Sequence, residues 1–256
     1  MESLPVVVLG FVLGMLHAAD ADHVIAVATI VGRERSIGGA ARVGLMWGAG
    51  HTFTVFVVGS AIIVFSLVIP PRLELAMEFC VALMLIVLGV VTLSQVSRLV
   101  RDTLTTALAE GLAAPADGAL AARVPLGAPL PAAASAPGQA PLDRLDLRWG
   151  RFATYQALRP LAIGVVHGLA GSAAVALLVL TQIRAPQWAV AYLLLFGIGT
   201  TAGMVLITCV VAFAFVRAQR MPVLSLGVQV VAGALSLALG GWMAWKLGVS
   251  DGLLIG

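Results

Sequence analysis

Six runs of apolar residues, at about 5–31, 43–69, 75–97, 160–183, 188–216 and 223–247, occupy most of this 256-residue chain. Each is long enough to cross a hydrocarbon core, which takes about 20 helical residues. The expected class is therefore an all-α polytopic membrane protein with six transmembrane helices. Composition agrees: 61% of the residues are hydrophobic and 11% charged, with a mean hydropathy of +1.06, against roughly 25% charged in an average soluble domain.

The cations predict the orientation, because loops on the cytoplasmic side retain an excess of Lys and Arg. The loop after the first run holds Arg33, Arg35 and Arg42, the loop after the third holds seven arginines, and the loop after the fifth holds Arg217 and Arg220. The opposite side has only Arg72, Arg184 and Lys246. Both termini are thus expected outside the cytoplasm. The pI near 9.4 reflects these arginines and no basic, aromatic-interleaved groove is visible, so nucleic acid is not an expected partner. The N-terminus has Glu2 and no basic leader, which predicts a retained first helix. Cys80 and Cys209 stand alone, with no C-x-x-C spacing; they read as small packing residues.

Three segments follow: 1–97 as a first three-helix unit, 98–159 as a cytoplasmic loop rich in Ala, Pro and Arg, and 160–256 as a second three-helix unit. The middle of the loop, "LAAPADGALAARVPLGAPLPAAASAPGQAP", has no aromatic residue and cannot build a core, which predicts a linker. After it, Leu142, Leu145, Trp149 and Phe152 form a stripe away from Arg144, Arg148 and Arg151, the pattern of an interfacial helix lying on anionic membrane lipids. The same arginines equally serve the orientation rule.

The two units repeat one another. "GMLHA" at 14–18 aligns with "GVVHG" at 164–168, "GAGHT" at 48–52 with "GIGTT" at 197–201, and "MEFCVALMLIVLG" at 77–89 with "VQVVAGALSLALG" at 228–240. The offsets nearly agree, at 164 − 14 = 150, 197 − 48 = 149 and 228 − 77 = 151. With three helices per unit, the second begins on the opposite side of the membrane. This is an inverted repeat, an arrangement in which transporters bind substrate near mid-membrane where the halves meet.

Ionisable residues inside these runs mark the site. His17, His23, His51 and His167 are all the histidines of the chain, and every one lies in an apolar run. An Asp at a helix centre costs roughly 2.5–3.5 kcal/mol on insertion scales, so Asp20 and Asp22 must face cations, donors or water. At about 100° per residue, His17, Asp20 and His23 share an arc about 120° wide, while Asp22 falls at about 140° on another face. Either Asp22 hydrogen-bonds a neighbouring helix, or the helix is locally unwound there.

Imidazole with carboxylate suits a divalent transition metal, since Mg or Ca sites would be all oxygen. A proton relay and structural hydrogen bonding between helices are the competing readings. His51 follows the small-residue stretch "WGAG", with Thr52 as a candidate donor behind it. His167 occupies the repeat position of His17, and Glu78, with no basic neighbour in sequence, reads as a buried supporting or ion-path group. No H-E-x-x-H, C-x-x-C or Walker motif is present, so an enzyme is not expected.

His17–His23, H-A-A-D-A-D-H, resembles the H-x-x-x-x-D-H signature of the nickel/cobalt permeases, and "WGAGHTFTVF" and "VVHGLAGSAAVALLVL" are similar to two further segments of that family. The last looks most like its urease-accessory branch. The resemblance covers the helical segments, not the Ala/Pro-rich loop, and departs from longer members in having six helices rather than about eight.

It implies high-affinity uptake of Ni²⁺ or Co²⁺ across the cytoplasmic (inner) membrane of a bacterium, with His17, Asp22 and His23 carrying the metal. No bound cofactor is expected, and the implied partners are the metal ion and urease or hydrogenase metallation machinery. Related exporters carry a His-rich loop; residues 98–159 have no histidine, which favours import. The alternative is a proton-coupled exporter of a metal or small solute using the same cluster. The expected ligands are His17, Asp20, Asp22, His23, His51 and His167, with Thr52 and Glu78 behind them.

Overall fold

The computed structural model describes residues 3–32, 34, 36–65, 69–113, 153–169, 186–218 and 222–254, and there is no strand among them. The helices are α1 (Ser3–His17), α2 (Ala21–Val31), α3 (Ile37–Phe65), α4 (Pro71–Ala113), α5 (Ala153–Leu169), α6 (Pro186–Ala218) and α7 (Pro222–Trp245), the last continued by a wide turn over Lys246–Ser250. Four of the described helices, α3, α4, α6 and α7, are each long and apolar enough to cross a membrane, and α1 with α2, bent by 58°, add a fifth if the pair is one broken span. The chain is a polytopic helical membrane protein. The fourth of the six expected runs is described only as far as Leu169; residues 170–185 lie outside the described residues, as does the expected interfacial helix from Leu142 to Phe152.

Two elements differ from the hydropathy reading. The first run is not one straight helix but two, broken between His17 and Ala21. The third continues through Ala113, well past residue 97 where its apolar run ends. At 1.5 Å per residue, a helix of 43 residues is about 64 Å long, roughly twice the hydrocarbon thickness. Its second half is water-compatible helix, with Arg101, Asp102, Thr103, Thr105 and Thr106 all exposed.

The helices pack in a chain of neighbours. α3 lies on α6, α1 packs on α6, α5 packs on α3, and α4 pairs with α7, while α2 touches α6 and α7. Lipid tails are as apolar as Leu, so such pairs are held by close van der Waals packing rather than by burial from water, and small residues allow the backbones to approach.

Glycines line these seams. A Cβ on Gly14 would strike the Phe196 carbonyl, and one on Gly164 the Trp47 carbonyl. The same is true of Gly199 against the Phe11 carbonyl and Gly50 against the Leu161 carbonyl. α3 and α6 run antiparallel, Gly44 meeting Thr208 at one end and Gly59 meeting Leu193 at the other. The large exposed side chains, among them Phe53, Val64, Phe213 and Trp242, face outward, where a bilayer would solvate them.

Candidate metal centre

The centre is built where α1 stops. Ala19 N–H donates to the Leu16 carbonyl (2.9 Å) and Asp20 N–H to the His17 carbonyl (3.1 Å), a tightened last turn that keeps the backbone satisfied. Asp20 then leaves helical geometry, with φ −59° and ψ 148°, and α2 starts at Ala21. Irregular backbone within a membrane protein persists only where protein or a water-filled cavity surrounds it. Here the break turns Asp22 inward.

Asp22 sits in the first turn of α2, where unpaired N–H groups favour negative charge. Its Oδ1 accepts from the His23 N–H (3.0 Å) and lies 3.2 Å from His23 Nδ1. Its Oδ2 is 3.0 Å from His167 Nε2 on α5. One carboxylate therefore ties the first span to α5. Both alternatives left open by the sequence are realised: the helix is broken, and Asp22 bonds a neighbouring helix. The unbroken-helix reading, which put Asp22 on a separate face, is corrected by the 58° bend.

Four imidazoles converge beside it. His23 and His167 are 0% exposed, His51 1% and His17 7%. His17 Nε2 faces His51 Nε2 at 3.3 Å, and the His23 ring lies 4.7 Å from that of His17, 5.3 Å from His51 and 4.1 Å from His167, centroid to centroid. Among the described residues, two groups could hold a metal ion: His17, His23 and His51, and Asp22, His23 and His167, each with its donor atoms within 4.8 Å of one another. Donors around a first-row ion with metal–nitrogen bonds near 2.1 Å stand about 3–4 Å apart, so a small contraction would close either group.

Asp20 is placed differently. Its carboxylate lies 2.9 Å from His17 Nδ1 and its side chain is 49% exposed, and it belongs to neither group of three. It orients a candidate ligand from behind, as carboxylates commonly do for metal-binding histidines.

Thr52 does not touch the histidines. Its hydroxyl donates to the Gly197 carbonyl (2.9 Å) and accepts from the Thr201 hydroxyl (2.9 Å), joining α3 to α6. Glu78, half-buried on α4, also lies outside both groups.

Sequence reasoning missed Trp47. Wholly buried, its indole stacks on His23 (centroids 6.2 Å, interplanar 15°) and meets His167 edge-on at 5.7 Å. The available signal was a large aromatic four residues before His51 inside a small-residue run. Phe196 of α6 backs His17 at 5.4 Å.

No family model matches the chain, and no solved structure does. Among curated proteins the chain is similar to "Urease accessory protein UreH" of Bacillus sp. (strain TB-90), at 28% identity over an alignment of 257 positions that covers 98% of this chain and 96% of that protein.

Proposed function

We propose that this chain is a permease taking up Ni²⁺ or Co²⁺ across the cytoplasmic membrane of a bacterium. The observation that carries the reading is the convergence of His17, His23, His51 and His167 with Asp22, all from apolar helices, at a break in the first span. A cluster kept only to join helices would have its nitrogens satisfied. Instead His23 Nε2, His51 Nδ1 and His167 Nδ1 are buried without a hydrogen-bond partner among the described residues. Nitrogen lone pairs with one carboxylate suit a divalent first-row ion, whose charge Asp22 would offset in part. The likeness to a urease accessory protein supports nickel within that group, urease being implied as the consumer.

Transport needs the site to open alternately to either side, which the proposed inverted repeat provides. Its support is a set of exchanged contacts. Gly14 meets Phe196 as Gly164 meets Trp47; Gly199 meets Phe11 as Gly50 meets Leu161; Gly89 meets Gly233 as Gly240 meets Ala82. Every pair maps onto its counterpart by an offset of 149 to 151 residues (for instance 199 − 50 = 149, 240 − 89 = 151), as read from the sequence. α1 lies parallel to α6, α5 parallel to α3, and α3 antiparallel to α6, as six alternating spans require. In this reading Ni²⁺ exchanges waters for imidazole and carboxylate at the centre, and a rocking of the halves about α3 and α6 releases it inward.

The test is accumulation of radioactive Ni²⁺ by cells expressing the wild-type chain, His17→Ala or His23→Ala, with membrane levels of each verified. Uptake that depends on both histidines is expected. Undiminished uptake in both variants would overturn the proposal, and loss of preloaded metal by wild-type cells would reverse its direction.

A further inference from the structure

The five residues of the centre do not close on one point. They form two groups of three that share only His23: His17 and His51 on one side, Asp22 and His167 on the other. The rings of His51 and His167 are 6.0 Å apart. An ion with bonds of about 2.1 Å can be held by one group or the other, not by all five donors as they stand.

Building on the uptake reading, we infer that the centre offers two mutually exclusive ion positions, between which the ion is handed by the shared His23. The nitrogens of that ring are differently placed. Nδ1 lies 3.2 Å from Asp22 Oδ1, whereas Nε2 is buried with no partner among the described residues.

With the ion held by His17 and His51, His23 ligates through Nε2 while Nδ1–H donates to Asp22, the usual way a carboxylate fixes a ligand's tautomer. When the ion passes to Asp22 and His167, Nδ1 becomes the ligand and the proton is carried on Nε2. The ring is neutral in both arrangements: Nδ1 gives its proton to a water leaving the ion's hydration shell and Nε2 takes one from a water entering the vacated first position, so no net proton is gained or lost. Two ions at once would put two dications on one neutral imidazole, so occupancy alternates.

The positions differ in chemistry. The first has three neutral nitrogens; the second has two nitrogens and a carboxylate, whose charge attracts a dication. The second position should therefore bind more tightly. Two unequal stations separated by a short step let an ion be held firmly enough for selection yet released along the path, as multi-site conduction requires.

The test uses the purified full-length chain titrated with Ni²⁺ by calorimetry and with Co²⁺ by visible absorption, the latter reporting the donor set. His51→Gln removes a donor from the first position alone, His167→Gln from the second alone, and His23→Gln from both. Each Gln keeps side-chain volume, and thermal unfolding verifies folding; a variant that fails it is replaced by His17→Gln for the first position or Asp22→Asn for the second.

The expected result is one ion per chain in wild type. His51→Gln and His167→Gln should each still bind one ion, with distinct Co²⁺ spectra and His167→Gln weaker by at least tenfold, while His23→Gln loses binding. Binding abolished by either single variant, identical spectra in the two, or two ions bound at once by wild type would overturn the two-position centre. These outcomes leave uptake itself standing. Conversely, the expected binding pattern in a chain that moves no metal would refute uptake and keep the two positions, and a wild type that binds neither ion refutes both.

Discussion

Asp20 and Asp22 stand two residues apart in the same short stretch, yet their surroundings are opposite. Asp22 is two-armed and largely enclosed, holding His23 and His167; Asp20 is half-exposed and holds only the back of His17. Hydrogen bonds to a charged group in a protein interior contribute about 1.5–3 kcal/mol each. Asp22→Asn removes the charge that two imidazoles face and a proposed ligand with it, so KM for Ni²⁺ should rise at least tenfold, with uptake at low metal nearly lost. Asp20→Asn keeps a polar group against His17 and, being exposed, should raise KM by less than about tenfold, below the about 10–100-fold typical for groups behind a ligand. Concentration-dependent initial rates check both, and equal losses would put Asp20 among the ligands. The sequence made this cluster legible because ionisable groups in apolar runs are costly and stand out. Helical geometry put Asp20 with the histidines and only the H-x-x-x-x-D-H resemblance singled out Asp22, since the bond that turns Asp22 inward comes from His167, 145 positions away.

Among the elements, α4 and α7 pair through a seam that contains none of the proposed ligands, which lets packing be tested without substituting one of them. A Cβ on Gly240 would stand 2.8 Å from the Ala82 carbonyl and 2.9 Å from Ile86 N, whereas at adjacent Gly241 nothing lies within 4 Å. Forcing a large side chain into a closed seam costs typically 1–3 kcal/mol. Gly→Ala at an open helical position gains roughly 0.5–1 kcal/mol through backbone entropy. Gly240→Leu should thus lower the thermal midpoint of the detergent-purified protein by several degrees, and Gly241→Ala should leave it unchanged or slightly raised. A similar drop in both would mean that the seam does not hold the pair.

Spans α3, α6 and α7 follow their apolar runs closely, because length and hydropathy are what a bilayer selects. The far half of α4 does not: "RDTLTTALAE" is polar, and hydropathy registers what lipid accepts, not where a water-exposed helix stops. The break at Ala18–Asp20 was one of two alternatives open from the sequence and could not be fixed there. Ala18 and Ala19 are good helix formers, and the turn is stabilised by partners on other helices.

For the whole molecule, the pairing of helices constrains orientation. Parallel α1 and α6, parallel α3 and α5, and antiparallel α3 and α6 are met together if each successive span reverses direction and α5 continues across as a full span. The position of the arginines then selects one of the two insertions, because Arg42 and the arginines following α4 and ending α6 lie at ends that alternate crossing puts on a common side. That side should be cytoplasmic.

Single reporter cysteines can test this once Cys80 and Cys209 are replaced by Ala. Gly38 is exposed at the start of α3, with open space around its Cβ position, and Leu254 is 68% exposed near the C-terminus; neither substitution crowds a seam. Treated with a membrane-impermeant maleimide, intact cells should label Leu254→Cys readily and Gly38→Cys only after permeabilisation. The reverse pattern would invert the orientation, and labelling of both in intact cells would require an even number of spans between them. If α5 crosses in full, α3, α4, α5, α6 and α7 make five crossings between Gly38 and Leu254. Gly38 and Leu254 then fall on opposite faces, and an even count would place them together.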